Sequence, residues 1–348
     1  MLLPAIWYAL LASMLIVYIV LDGFDFGAGV VYRYVAKTEE ERRQIISAIG
    51  PVWDGNEVWL IAAGGTLFFA FPKAYASGFS GFYMPLMILL WLLILRGLAI
   101  ELRSHEPYRL WHDFWDVTLQ FASVMAAVIF GAAFGNLVRG VPLGASGYFA
   151  IPLFTNMLIH PAIGILDYYT LTGGVFCLAV LAMHGSLYLI WKTDGHVRER
   201  SIRVASYLWW AVLVMAILLI ALTLQVRPTF FTSLIAMVWP LAFVLLSLIG
   251  FFLIPFALKR QNDLVQFLGS AAFIVGMLAA AGAALFPDLI TSTIDQAYSL
   301  TAGNSSAGYH GLEIGLIWWV FGMILVIGYF VFVYRSLSGK VSAGKTGE

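Results

Sequence analysis

Cysteine is almost missing from this 348-residue chain, which has Cys177 alone. That residue lies in an apolar run, so there is no disulfide framework, no Cys-x-x-Cys zinc or iron-sulfur set and no covalent haem motif. It reads as a small core residue. Charge is scarce as well, at 11% against roughly 25% in soluble domains. The 19 Lys and Arg balance 19 Asp and Glu, leaving no net field to gather nucleic acid or steer an acidic substrate. No nucleic-acid partner is expected. The place of charge is taken by the residues AVILMFWYC, 61% of the chain, where a soluble domain has roughly 45–50%. Such a chain is solvated mainly by lipid. No Lys or Arg precedes Arg33 and no small-residue cleavage site follows the first apolar stretch, so that stretch is read as a retained membrane helix.

A bilayer-spanning helix needs about 20 mostly apolar residues. Nine stretches qualify: 6–31, 46–71, 78–100, 117–138, 166–191, 204–224, 230–257, 265–286 and 312–334. The expected fold is an all-α integral membrane protein of nine transmembrane helices, because no alternating ten-residue pattern suggests a barrel. Longer loops fall near 139–165 and 287–311. With nine spans, 16 of the 19 basic residues gather on one side, and Lys73, Arg139 and Arg227 on the other. Fifteen of the 19 acids share the basic side, all but Asp167, Asp288, Asp295 and Glu313. The excess of Lys and Arg predicts an N-terminus outside the cytoplasm and a cytoplasmic C-terminus.

A faint repeat links VYRYVAKTEEERRQ at 31–44 with LYLIWKTDGHVRER at 187–200. Two ordinary turns would also explain it. A true repeat four spans apart implies two parallel four-helix units plus one extra helix. The units would be residues 1–140 and 141–290, with the ninth helix and a cytoplasmic tail in 291–348.

Four groups of residues carry the candidate chemistry. In DGFDFGAG at 22–29, Asp22 and Asp25 are three apart and share a helix face, while Gly23 and Gly27 form a small-xxx-small pair. Each carboxylate at depth costs about 2.5–3.5 kcal/mol, so the pair needs an interior partner, a wet path or protons. Bonds to facing helix ends or to Arg33 would give both a purely structural role. In PVWDGNEVW at 51–59, Asp54 and Glu57 are also three apart. They are a helix-start capping pattern if the helix opens at Pro51, and intramembrane acids if it opens near Ile45. Both readings stay open on sequence alone. In RGLAIELR at 96–103, Arg96 is expected to pair structurally with Asp22, Asp25 or Glu101, or to snorkel. His112, Asp113 and Asp116 read as a solvated helix entrance.

Of His105, His112, His160, His184, His196 and His310, only His184 is clearly inside a span. One buried His makes no bis-histidine haem site, and no His, Cys or acid cluster has metal spacing. His184 reads as a satisfied core residue, and no cofactor or metal is expected on this chain's own ligands. Gly135-Asn136 and the loop 303–306 present neither a nucleophile with a base nor a phosphate cradle.

The four runs DGFDFGAG at 22–29, GPVWDGNEVWL at 50–60, RGLAIELR at 96–103 and HGSLYLIWKTDG at 184–195 resemble subunit II of cytochrome bd-type quinol oxidases. The resemblance implies part of a bacterial inner-membrane enzyme that oxidises ubiquinol or menaquinol and reduces dioxygen to water. It implies a haem-bearing subunit I holding haem b and haem d, and a small single-span subunit. It also implies a structural quinone in some members. By motif, Asp54 corresponds to a carboxylate at the start of a cytoplasmic proton path, with Asp25 and Asp22 as further acids of the first helix. Glu57 joins them as a candidate from its spacing. Two other classes fit the residues: a proton-coupled secondary transporter, since repeats and intramembrane acids also describe transporters, and a purely structural subunit.

Overall fold

A computed structural model describes residues 2–159 and 163–342; His160 and Lys345, which entered the histidine and basic-residue readings, lie outside them. Among the described residues the regular structure is helical apart from one short hairpin, with long loops at 140–167 and 286–308. In order, the helices are α1 (Leu2–Val35), α2 (Glu39–Ile49), α3 (Trp53–Ala70), α4 (Pro72–Gly81), α5 (Tyr83–Leu102), α6 (Arg109–Arg139), α7 (Tyr168–Lys192), α8 (Gly195–Val226), α9 (Thr229–Ile235), α10 (Trp239–Lys259), α11 (Asp263–Leu285) and α12 (Tyr309–Ser336). Strands β1 (Asp288–Ile290) and β2 (Leu300–Thr301) pair antiparallel in the last long loop.

Among the described residues, eight helices are long and apolar enough to cross a membrane: α1, α5, α6, α7, α8, α10, α11 and α12. The second expected stretch, 46–71, is not one helix. Pro51 offers no N–H to continue the helical hydrogen-bond ladder; α2 ends at Ile49 and α3 restarts at Trp53. The polar Asp54, Asn56 and Glu57 then occupy the first turns of α3 and dilute its hydropathy. The stretches 78–100 and 230–257 are likewise interrupted, at Phe82 between α4 and α5 and at 236–238 between α9 and α10.

Helices α1 and α7 form the centre. Every residue from Asp22 to Tyr32 and from Val180 to Ile190 is buried, so these segments are enclosed on all faces rather than along one stripe. They cross at Gly27 and Gly185, where a Cβ on either glycine would land on the other helix's backbone. Absence of side chains there sets the separation of the two helices. Around them α3 and α6 pack on α1, α8 and α11 pack on α7, and α5 lies on α6 and α10 on α11. At the periphery, α12 buries Leu312 alone.

The two ends of the bundle are distinct. At one end the loops after α6 and α11 meet, through Val141 N donating to Thr291 O and Thr293 N to Val141 O. The N-terminal helix is anchored there by Trp7 Nε1 to Leu312 O and Tyr8 Oη to Gly282 O. At the other end the turns after α1 and α7 meet each other: Arg200 Nη1 bonds Glu41 Oε2 at 2.7 Å, and Gln44 Nε2 bonds Asp194 Oδ1 at 2.9 Å. Residues 337–342 lie across that end, with Val341 N donating to Lys192 O.

Candidate functional site

All four sequence runs converge on the stretch of α1 that lies toward the end carrying the C-terminal segment. Asp22 and Arg96 are both 0% exposed and form a two-pronged pair, Nη1 to Oδ1 at 2.5 Å and Nη2 to Oδ2 at 3.0 Å. The fork geometry satisfies both carboxylate oxygens at once. The Arg96 guanidinium also lies 4.0 Å from the Phe26 ring centroid and 3.5 Å from Glu57 Oε2. Phe26 follows Asp22 by four residues, so acid and aromatic ring stand on the same face of α1 and hold one cation between them.

Asp25 is also buried, and among the described residues no cation pairs with it. Its Oδ2 accepts from Asn56 Nδ2 at 2.8 Å, and its Oδ1 is buried without a partner. Asn56 is completed by Tyr334, whose Oη donates to Asn56 Oδ1 at 2.9 Å. The expected acids are therefore separated by their partners: Asp22 neutralises Arg96, Glu57 supports that cation from one side, and Asp25 rests on a neutral amide. The cluster thus brings three carboxylates and one guanidinium together.

Asp54 is exposed in the first turn of α3 and, among the described residues, has no hydrogen bond or ion pair. Neither sequence alternative describes it fully. The helix starts at Trp53, so Asp54 is not at depth, and the cap is Val52 with no side-chain bond, so Asp54 and Glu57 do not form a capping box. Glu57 turns toward Arg96 instead. Glu101, expected among the partners of Arg96, accepts from Trp53 Nε1 at 3.2 Å. Five residues along a helix rotate a side chain by about 140°, which turns Glu101 away from the Asp22 face. Trp53 lies against Gly97, where an added Cβ would approach its ring to 2.9 Å. Thus Gly97 and Glu101 seat the start of α3, and Arg96 serves the acids.

A second charged cluster was not legible in the sequence. Asp116, expected in a solvated helix entrance, is 1% exposed because α6 begins at Arg109, two turns earlier. It accepts from Tyr32 Oη at 2.7 Å, Arg103 Nε at 2.5 Å and Arg42 Nη1 at 2.8 Å. Arg103 also forks onto Glu39, at 3.0 and 2.8 Å. Partial burial pushes the Glu39 carboxyl up, but Arg103, His112 and Arg43 outweigh it and hold the group below its ordinary value. Glu41 is held low in the same way, by Arg200 and by the backbone N–H groups of Lys37 and Thr38. These groups clamp α1, α2 and α6 together.

Four of the described histidines have polar neighbours. Both ring nitrogens of His184 are engaged, Nδ1 with Ser270 Oγ at 2.6 Å and Nε2 with Val20 O at 2.9 Å. His105 bonds Glu101 O, while His112 and His196 stand beside Glu39 and Glu199 at the surface end. Among the described residues, no three His, Cys, Asp or Glu side chains are grouped to hold a metal ion.

Comparison with known proteins supplies the context for this site. A family model described as cytochrome bd terminal oxidase subunit II matches residues 3–337. The cytochrome bd ubiquinol oxidase subunit 2 of Bacillus subtilis strain 168 is 31% identical over 338 residues, covering 97% of this chain and 96% of that protein. The cytochrome bd-I ubiquinol oxidase subunit 2 of Escherichia coli K12 is 37% identical over 198 residues, covering 56% of this chain and 51% of that protein. A chain in the solved bd oxidase of Geobacillus thermodenitrificans shares the fold, with a TM-score of 0.76 at 18% identity, over 96% of this chain and 98% of that one.

Proposed function

The chain belongs to the cytochrome bd terminal oxidase subunit II family, and on that premise we propose that it is the haem-free subunit of a bacterial inner-membrane complex that oxidises quinol and reduces dioxygen to water. In this reading it packs against a haem-bearing subunit I, which holds haem b and haem d, with a small single-span subunit beside them. The apolar face of α12, with Leu312 alone buried, suits a chain that has both lipid and protein neighbours. Its own contribution is a proton-uptake path from the cytoplasmic side.

The buried cluster of Asp22, Asp25, Glu57 and Arg96 carries this proposal. Dioxygen reduction consumes protons, and a path through a low-dielectric bundle needs carboxyls that change charge with little rearrangement. Asp54, exposed at the start of α3, collects protons; Glu57, one turn on, lies at the edge of the buried cluster; Asp25, with no cation of its own, is the carboxyl whose charge is least compensated. Arg96 and Asp22 hold the field of the site steady.

The topology proposed with this function has nine spans, α3 being the second. The long loops after α6 and α11 face outward, and the basic turns and C-terminal segment face the cytoplasm. Two four-helix units, residues 1–140 and 141–290, are supported by the short helices α4 and α9, which join the second and third span of each unit and each follow a proline or begin with one. The ninth helix and tail, 291–348, complete the chain. A transporter reading is less well served: the break at 50–52 has no counterpart in α8, which runs unbroken for 32 residues. The test is turnover of the purified complex with Asp54→Asn or Asp25→Asn. Each slows oxygen consumption while leaving the haem spectrum intact; unchanged turnover in both removes these acids from the path and leaves a structural subunit.

A further inference from the structure

Asn56 is the hydrogen-bond partner of Asp25, and beyond Asn56 lies space. Tyr334, which donates to Asn56 Oδ1 at 2.9 Å, lines a cavity of about 270 Å³ together with Ser47, Pro51, Trp191, Lys192 and Ser338. One wall is the C-terminal segment, tied down by Val341 N to Lys192 O, Gln44 Nε2 to Val341 O at 2.7 Å and Lys340 Nζ to Asp263 Oδ2 at 2.7 Å. Ser47, Ser338, Lys192 and Tyr334 give this lining its polar side chains, Lys192 Nζ being held by Leu337 O at 2.7 Å, and the volume holds several water molecules. Inward of the same pair, Asp25 Oδ1 is buried with no partner, and a water is the partner a buried carboxylate oxygen calls for.

We propose that this cavity is a water vestibule on the cytoplasmic side, and that Tyr334 and Asn56 form a two-residue gate through which Asp25 exchanges protons with it. The proposal rests on the proton-uptake reading above and supplies a second way in, apart from Asp54. An amide does not hand a proton onward, so Tyr334 and Asn56 are positioning residues and not a wire. When Tyr334 Oη swings off Asn56, water from the vestibule reaches Asp25. A hydronium ion then gives its proton to the carboxylate, leaving water and a neutral carboxylic acid. The acid later passes that proton inward and returns to carboxylate.

The test uses the intact complex carrying Ser47→Trp, which fills the cavity mouth, or Tyr334→Phe, which removes only the phenol oxygen. Three readouts are taken: oxygen consumption against pH, internal alkalinisation in liposomes followed by a trapped pH dye, and water density in the cavity by cryo-electron microscopy. Expected are ordered waters in the unaltered complex and a severalfold slower turnover in Ser47→Trp, deepening as pH rises and protons become scarce. Tyr334→Phe moves the alkaline limb of the profile while KM for quinol stays put. Should Ser47→Trp cost the haem spectrum, Tyr334→Phe decides. Unaltered pH profiles in the folded variants, or a dry cavity, overturn the vestibule. Asp25→Asn and Asp54→Asn separate the two ideas: if Asp25→Asn slows turnover while the vestibule variants do not, the vestibule is overturned and protons arrive by Asp54 alone, and if Asp25→Asn and Asp54→Asn are both unaltered, the uptake reading itself fails.

Discussion

Replacing Arg96 by Met removes the one guanidinium that the acid cluster shares, and the structure says how much that costs. Arg96 and Asp22 are both 0% exposed and joined by two short bonds. Removing one partner of such a pair costs about 3–5 kcal/mol, because the other charge stays buried without compensation. A guanidinium over an aromatic ring contributes up to about 2 kcal/mol when desolvated, and the Phe26 centroid is 4.0 Å from Arg96 Cζ. Arg96→Met and Asp22→Asn are therefore each strongly destabilising alone. Together they remove both charges, and the double variant recovers much of the loss, since paired replacement by neutral groups is often close to neutral. The expected coupling is at least about 2 kcal/mol, well outside the roughly 0.5 kcal/mol within which independent sites add. Unfolding of the detergent-solubilised complex, followed by fluorescence of the 12 tryptophans, measures it. Additive losses would mean that the two side chains do not share an environment, and the cluster on which the proton path is built would be wrong.

Glu39 and Glu41 lie below their ordinary value, so the stability they contribute is complete above the unfolded value near 4.5 and is lost as pH falls through their lower folded values. Acid unfolding of the complex should therefore begin below pH 4.5, and Glu39→Gln should flatten it; an unchanged acid limb would argue against the clamp. Gly27→Ala puts a methyl group on the backbone of α7 at the Gly185 crossing and is expected to cost several kcal/mol in thermal unfolding. Gly282→Ala, where the nearest atom would be Ala12 Cβ at 4.0 Å, is expected to change stability by less than about 1 kcal/mol.

Much of this organisation is legible in the amino-acid sequence. Gly27 stood out with Gly23 as a small-xxx-small pair, and the acids at 22, 25, 54 and 57 stood out because carboxylates are rare in apolar segments. Asn56 was in plain sight between two of them, yet a neutral amide sends no signal until its partner is known. Tyr334 sends none at all, being 278 residues from Asn56. Asp116 misled because its sequence neighbours His112 and Asp113 are polar, and only the start of α6 at Arg109 shows that two turns of helix carry it inward.

Composition and the alternation of basic turns, by themselves, determined a lipid-solvated helical chain with a charged end, because hydropathy and charge act on each segment whatever its neighbours. Which acid holds the arginine was decided by tertiary structure alone. That choice depends on the rotation and depth of α1, α3 and α5 about one another, set by where glycines let backbones touch and where Pro51 stops a helix. Spacing of three puts Asp22 and Asp25 on one face. Only the bundle turns Asp22 toward Arg96 and leaves Asp25 to Asn56.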